Sequence, residues 1–359
     1  MKEYEMSFTL GKKVKMTVSG ASHSESIDVR IEGLSAGEVI DLDAVGDLLL
    51  RRQGGNAVYT TARKEKDEPV IISGMSGNTL TGEPLIAKFI NENARSGDYK
   101  KMRKIPRPSH ADYVAHVKYG DDIDMSGGGF FSGRMTLPMC FAGAVCMQIL
   151  KRRGVNIRAH ILQTQDAFDQ RFDPVSQDME AYAEHVLPVL SAEAGDRMKA
   201  CMEAAAAAGD SVGGCVECKV TGVPAGLGDP IYDSVESVLS FAMFGIPAIK
   251  GIEFGEGFGV CSDHGSASND PFRIRNGEVV CLTNNSGGIQ GGITNGMPVI
   301  FRVAVKPTPS IYKPQMSVNL ETMEECELII EGRHDACIVP RVVPCVEAMT
   351  ALVMADLML

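Results

Sequence analysis

Five short segments hold the residue types that move protons or bind anions. Gly20-Ala21-Ser22-His23-Ser24 follows a strand-like run and offers one imidazole, either as a reacting group or as a hydrogen-bonded structural histidine. Lys100, Lys101, Arg103, Lys104 and Arg107 fall within eight residues, just ahead of Pro108-Ser109-His110-Ala111-Asp112-Tyr113. Pro106 and Pro108 stiffen that approach and put His110 on a loop; the run before it is an anion field feeding the histidine or a solvated basic face. In Ser126-Gly127-Gly128-Gly129-Phe130-Phe131-Ser132-Gly133-Arg134-Met135-Thr136, three glycines allow close backbone approach. Amides at the helix start that follows, with Ser132, Arg134 and Thr136, suit a phosphate; a plain turn is the competing reading. No P-loop lysine follows, and neither this run nor Gly255–Gly259 has the spacing of a dinucleotide fingerprint.

The fourth segment, Asn284–Gly296, sets two glycine pairs among amides and hydroxyls and leads through a strand to Lys306-Pro307-Thr308-Pro309-Ser310. It could wrap a planar or phosphorylated ligand with Lys306 supplying charge, or be a pair of bulged strands. Gly332-Arg333-His334-Asp335 sets a cation, an imidazole and a carboxylate side by side, for acid–base work if buried near a ligand, or as a surface loop with a capping aspartate. Cys215-Val216-Glu217-Cys218 has redox or zinc spacing, but it is one pair in a strand-like run, so no metal site is expected. His116, His160, His185 and His264 stand outside any constellation and read as structural.

These segments need elements to hold them. Apolar and polar residues alternate over Lys13–Val18, Ile27–Ile31, Val216–Val220 and Val299–Val305, predicting half-buried antiparallel strands. Helical spacing covers Asp41–Arg52, Pro138–Arg153, Ser191–Ala208, Asp233–Phe244 and Arg341–Leu357, with Asp41 or Asp43 as the first N-cap and Gly209 as a C-cap. The two kinds of element mix without a steady β-α-β-α rhythm, which predicts an α+β fold. No repeat or proline-rich linker divides the chain, so residues 1–359 are expected to form a single domain.

Composition narrows the classes. Apolar residues make up 44% and charged residues 23%, the balance of a globular chain. A formal charge of −11 argues against a general nucleic-acid surface, so an anionic ligand must meet a local basic patch. The longest apolar stretch, Met135–Leu150, is broken by Thr136, Pro138 and Gln148 and is shorter than the ~20 residues of a membrane span. The charged start of the chain leaves no room for a secretory h-region, so a cytoplasmic protein with no membrane partner is expected. Ten scattered cysteines fit a reducing compartment and free thiols.

In order, the segments resemble the chorismate synthase family over nearly the whole chain. The family's GESHG stands here as Gly20–Ser24, its RPGHAD as Arg107–Asp112, and its GGGRxSARET as Gly127–Thr136. Further matches are Thr60–Glu68, Thr81–Leu85, Asp210–Gly214, Gly222–Pro230, Ile249–Phe258, Asn284–Gly296, Lys306–Ile311 and Gly332–Met349. The resemblance implies a β-α-β sandwich, with antiparallel sheets around central helices, assembled as a homotetramer. It implies 1,4-anti elimination of phosphate from 5-enolpyruvylshikimate 3-phosphate to give chorismate, with reduced FMN required and no net oxidation. His23 would stabilise the leaving phosphate as an acid, His110 would protonate or stabilise the reduced flavin anion, and Asp335 would act with flavin N5 in removing the ring proton. Ser22 and Ser132 match active-site serines. Flavin contacts would fall at Ser132, Pro247, Ala248, Gly291, Lys306, Pro307, Thr308, Pro309, Ser310 and Arg333, with Arg52 near substrate or reductant and Arg134 adding charge for the substrate.

The chain departs from the pattern at Ala21 and Ser24 (family glutamate and glycine), at Val58 and Phe130-Phe131 (an arginine, and an arginine–serine pair) and at Met135 (a glutamate). A non-catalytic or altered-substrate paralogue is the alternative these substitutions raise. No extra domain accompanies the core, so an external flavin reductase or other source of reduced flavin is expected.

Overall fold

The computed structural model describes residues 6–55, 57–60, 66–91, 104–120, 123, 125–330, 332 and 334–359. The strands and helices run as β1 Ser7–Leu10, β2 Lys15–Gly20, β3 Ser26–Glu32, α1 Leu42–Arg52, β4 Val70–Ser73, β5 Met75–Ser76, β6 Thr79–Leu80, β7 Leu85–Ile90, α2 Asp112–Tyr119 and α3 Thr136–Arg152. They continue as β8 Asn156–Thr164, β9 Ala167–Phe168, α4 Ala192–Ala207, β10 Gly214–Thr221, α5 Val235–Phe244, β11 Ile249–Phe254, α6 Gly265–Ser268 and β12 Phe272–Arg275. The remainder is β13 Glu278–Cys281, β14 Ile289–Gln290, β15 Ile293–Thr294, β16 Val299–Val305, β17 Gln315–Asn319, β18 Glu324–Leu328 and α7 Val339–Met358.

Two five-stranded antiparallel sheets, ordered β1-β2-β3-β7-β4 and β11-β16-β10-β8-β9, face each other across a helical layer of α1, α3 and α7. This α+β sandwich follows from the residue pattern. In the first sheet Val18 pairs with Val29 and Met16 with Ile31, so one face is apolar and buried while Thr17 and Arg30 point away. Helices α3 and α7 are buried almost all round, as befits helices covered by sheets on both sides. One apolar cluster joins both sheets through them. The two helices touch closely at Gly143, where an added Cβ would come within 2.3 Å of the Ala348 Cα.

The expected strands and helices are all present, with boundaries moved by a few residues. Asp41 is the N-cap of α1, its carboxylate accepting from the Asp43 and Ala44 amides. At the end of α4 the C-cap is Ala208, one residue before the expected Gly209, which follows it with φ +64°. Alternation alone misjudged β10 as half-buried: Glu217 and Lys219 on its outer face are buried too. They are covered by the 169–180 segment, and Glu217 is tied to Arg302 at 3.5 Å and to His160 at 3.1 Å. His160 therefore does have a constellation, though a structural one: burial opposes its charge, and Asp169 and Glu217 outweigh that and raise its pKa. Helix α2 was not foreseen.

The helical run Gly133–Arg152 reaches 20 residues and is long and apolar enough to cross a membrane, which corrects the shorter stretch read from sequence. It lies in the middle layer, most of it buried inside the molecule. All ten cysteines are free thiols. Burial pushes Cys215 up to about 12, which keeps it from reacting as a thiolate near neutral pH.

Candidate active site

The glycine run after α2 organises the site. Gly127, Gly128 and Gly129 take φ values of 63°, 90° and 54°, a left-handed path that other residues enter only with strain. A Cβ on Gly127 would lie 2.1 Å from His23 Cε1 and 2.9 Å from Ser22 Oγ. One on Gly128 would lie 3.6 Å from Ser132 Cβ and 3.8 Å from His110 Nε2. The Ser22 amide donates to the Gly129 carbonyl at 3.2 Å. A single bare turn of backbone thus separates Ser22 and His23 from His110 and Ser132, four residues spread over 110 positions of sequence. Ser22 is fully buried, and among the described residues its Oγ has no hydrogen-bond partner, which leaves a donor for a ligand.

His110 is held from behind. Its Nδ1 lies 2.7 Å from Asp112 Oδ1, and Arg107 grips the same carboxylate through Nε at 2.7 Å and NH2 at 2.8 Å. Burial pushes the Asp112 carboxyl up, but Arg107 and His110 outweigh it and hold it well below the usual carboxylate range. An ionised Asp112 keeps the ring proton on Nδ1 and turns Nε2 toward Gly128. Arg107 also donates to Ser310 Oγ at 3.3 Å, and the Lys306 ammonium donates to the Ser109 carbonyl at 3.3 Å. The 306–310 loop is therefore joined to the His110 loop. Burial, and then neighbouring Lys250, pull the Lys306 pKa down. Its amide donates to the carbonyl of Ala248, the residue after Pro247 with φ +75°.

Asp335 sits at the other end of that loop. Thr308 Oγ1 donates to its carbonyl at 2.7 Å, and Arg341, in the first turn of α7, donates to Oδ2 at 2.7 Å. Arg341 Nε reaches the Arg52 carbonyl at 2.9 Å, so the aspartate is tied to α1 and not used as a helix cap. A cavity of about 190 Å³ opens here, lined by Val58, Thr60, Ser310, Tyr312, His334 and Asp335. Arg52 and Arg134, both buried, meet on one carboxylate: Asp67 accepts from Arg52 at 2.6 Å and from Arg134 at 2.5 Å. Burial raises the Asp67 pKa, and the two guanidiniums more than reverse that. Around the site, Arg52, Arg107, Arg134, Lys306 and Arg341 face Asp67, Asp112 and Asp335, an excess of positive charge for an anion.

Not every expected residue joins. Gly291 turns the β14–β15 hairpin, and among the described residues no contact links it to the histidines. Arg333, Lys100, Lys101 and Arg103 lie outside the described residues. The basic run is not one field: Lys104 pairs outward with Glu321, whereas Arg107 turns inward. Asp67, Asn91, Asp112 and Arg341 were not singled out from sequence. Only Asp112, two residues from His110, carried a local signal.

The substituted positions are absorbed in different ways. Phe130 packs on Phe8, Tyr119 and Phe131 with ring centroids 5.8, 5.6 and 4.7 Å away. Met135 is buried, and Val58 is 83% exposed on the rim of the Asp335 cavity. Ser24 closes its own turn, accepting from the Ala21 amide at 2.8 Å and donating to the Ser26 carbonyl at 2.6 Å.

Comparison with known proteins settles the family. The family model described as chorismate synthase matches residues 14–359. The chain belongs to the chorismate synthase family. It is 45% identical over 346 residues to the chorismate synthase of Thermococcus gammatolerans, covering 96% of each chain, and 42% identical over 365 residues to that of Lancefieldella parvula, covering 98% and 96%. A solved structure of chorismate synthase superposes with a TM-score of 0.75 at 25% identity, over 97% of this chain and 92% of that one. That membership makes the protein a lyase of the shikimate pathway that acts on a small-molecule substrate.

Proposed function

We propose that chorismate is formed at the glycine turn, with His23 and Ser22 serving the departing phosphate and His110 and Ser132 serving a bound reduced FMN. What carries this reading is the placement of both histidines against adjacent glycines, Gly127 and Gly128. The residues fit the cofactor: a Cβ-free backbone for close approach, a buried hydroxyl with no described partner, and donors at Lys306 and Ser310. Reduced FMN, when bound, supplies electron density for a carbon–oxygen bond cleavage without net oxidation. Lys306, Pro307, Thr308, Pro309, Ser310, Pro247, Ala248 and Ser132 would hold it.

The remaining work falls to the protein. The His23 imidazolium neutralises charge on the leaving phosphate oxygen, and the fixed donors around it need no reorganisation when that charge develops. With its Nδ1–H donating to Asp112, His110 presents Nε2 as the atom that takes up a proton and gives it back. Asp335 accepts the ring proton, with Arg341 fixing Oδ2. Arg52 and Arg134 bind the substrate's anionic groups. Alanine at His23, His110 or Asp335 should each lower kcat by about 10²–10⁴-fold in folded protein; unchanged turnover in any of them removes that residue from the mechanism.

In the same reading residues 1–359 form one domain, supported by the one apolar cluster among the described residues. The enzyme acts as a cytoplasmic homotetramer fed by an external flavin reductase. Exposed Phe241 and Phe244 on α5 and Phe272 and Ile274 on β12 support self-association.

A further inference from the structure

We infer that Asn91 is a positioning residue that locks the His23 turn to the arginine pair. The inference rests on the roles proposed above for His23 and Arg134. Asn91 stands at the end of β7, and its carboxamide faces both halves of the site. Its Nδ2 donates to the Ser24 carbonyl at 2.7 Å and to the Ala21 carbonyl at 3.3 Å, bracketing Ser22 and His23. Its Oδ1 accepts from Arg134 Nε at 2.9 Å, and its amide donates to the Glu25 carbonyl at 3.1 Å.

Ser24 works toward the same end from inside the turn. Where the family pattern has glycine, its hydroxyl bonds to the Ala21 amide and the Ser26 carbonyl. Asn91 alone joins this turn to Arg134 through a side chain, among the described contacts. Arg134 and Arg52, by contrast, keep a second anchor in Asp67. The two functions are thus separable: losing the Asn91 carboxamide loosens the His23 turn, which keeps its backbone bond to Gly129 and the Ser24 closure, but leaves the arginines held by Asp67. A histidine displaced by an ångström from the leaving oxygen costs rate more than binding.

The test is steady-state kinetics of Asn91→Ala and Asp67→Asn with chemically reduced FMN, with circular dichroism to establish folding. Asn91→Ala should lower kcat by about 10- to 100-fold with KM changed by less than about threefold, and Asp67→Asn should act mainly on KM. Should Asn91→Ala not fold, the isosteric Asn91→Asp serves, since it keeps an acceptor for Arg134 and sets an oxygen against the two carbonyls; the same kcat-weighted loss is expected. A folded variant with kcat within about twofold of wild type, or a loss expressed through KM alone, would overturn the inference. His23→Ala is measured alongside: normal turnover there overturns the role of His23 instead. The His23 ring NMR signal, assigned by its loss in His23→Ala, should shift in either Asn91 variant whatever His23 does; an unmoved signal also overturns the lock.

Discussion

At the scale of single residues, the candidate site is held together by carboxylates paired with its arginines and its histidine. Asp112 is the clearest: Arg107 holds it ionised, and it in turn fixes which nitrogen of His110 bears the proton. Because its folded pKa lies below the unfolded value of about 3.9, its contribution to stability is full above that pH and is lost as pH falls through the folded value. Asp112→Asn should therefore lower the urea midpoint at neutral pH, with the gap to wild type closing only below about pH 4. The same variant should lose at least about tenfold in kcat, since Asn at 112 no longer selects the tautomer. A pH-independent gap with normal turnover would show that the pair is ornamental. Asp67 follows the same logic, turning two mutually repelling guanidiniums into a fixed pair.

At the scale of elements, the helices decide whether the loops meet. The close approach of α3 and α7 at Gly143 sets the distance between Arg134 and Ser132 at one helix start and Asp335 and Arg341 at the other. Gly143→Ala should destabilise by about 1–3 kcal/mol through overpacking. Gly46→Ala in α1, where nothing lies within 4 Å of the new Cβ, should instead stabilise by about 0.5–1 kcal/mol. Urea denaturation of the two variants checks the opposite signs.

The elements were largely legible because period and caps are local: Asp41, Ser191 and Ser234 each cap the helix that apolar spacing announced. Helix α2 was hidden because only Ala115 in it is buried, so it lacks an apolar stripe. The polar clamps were hidden for another reason. Asn91 meets Arg134 43 positions away and Asp67 meets it 67 positions away, and no local pattern encodes a partner at that distance. His23, His110, Ser132 and Asp335 were legible only as members of ordered motifs. Read singly, His23 favours a structural histidine and the His110 segment a solvated basic loop.

At the scale of the whole molecule, two antiparallel sheets and a buried helical layer make a frame that brings the His23 and His110 loops to one turn of glycines and ties the 306–310 loop and Asp335 to them. The net charge of −11 does not oppose an anionic substrate, because arginines and lysine concentrate at that point in excess over their carboxylates. The aromatic cluster at Phe130 and exposed Val58 stand where the resembled pattern has two charges. The account thus predicts a working enzyme and not an inert relative. The most direct test is anaerobic phosphate release from 5-enolpyruvylshikimate 3-phosphate with reduced FMN, with oxidised FMN and without flavin. Release only with reduced FMN, matched mole for mole by chorismate, is the predicted result; no release from folded, flavin-binding protein, or release that ignores the flavin, would contradict it.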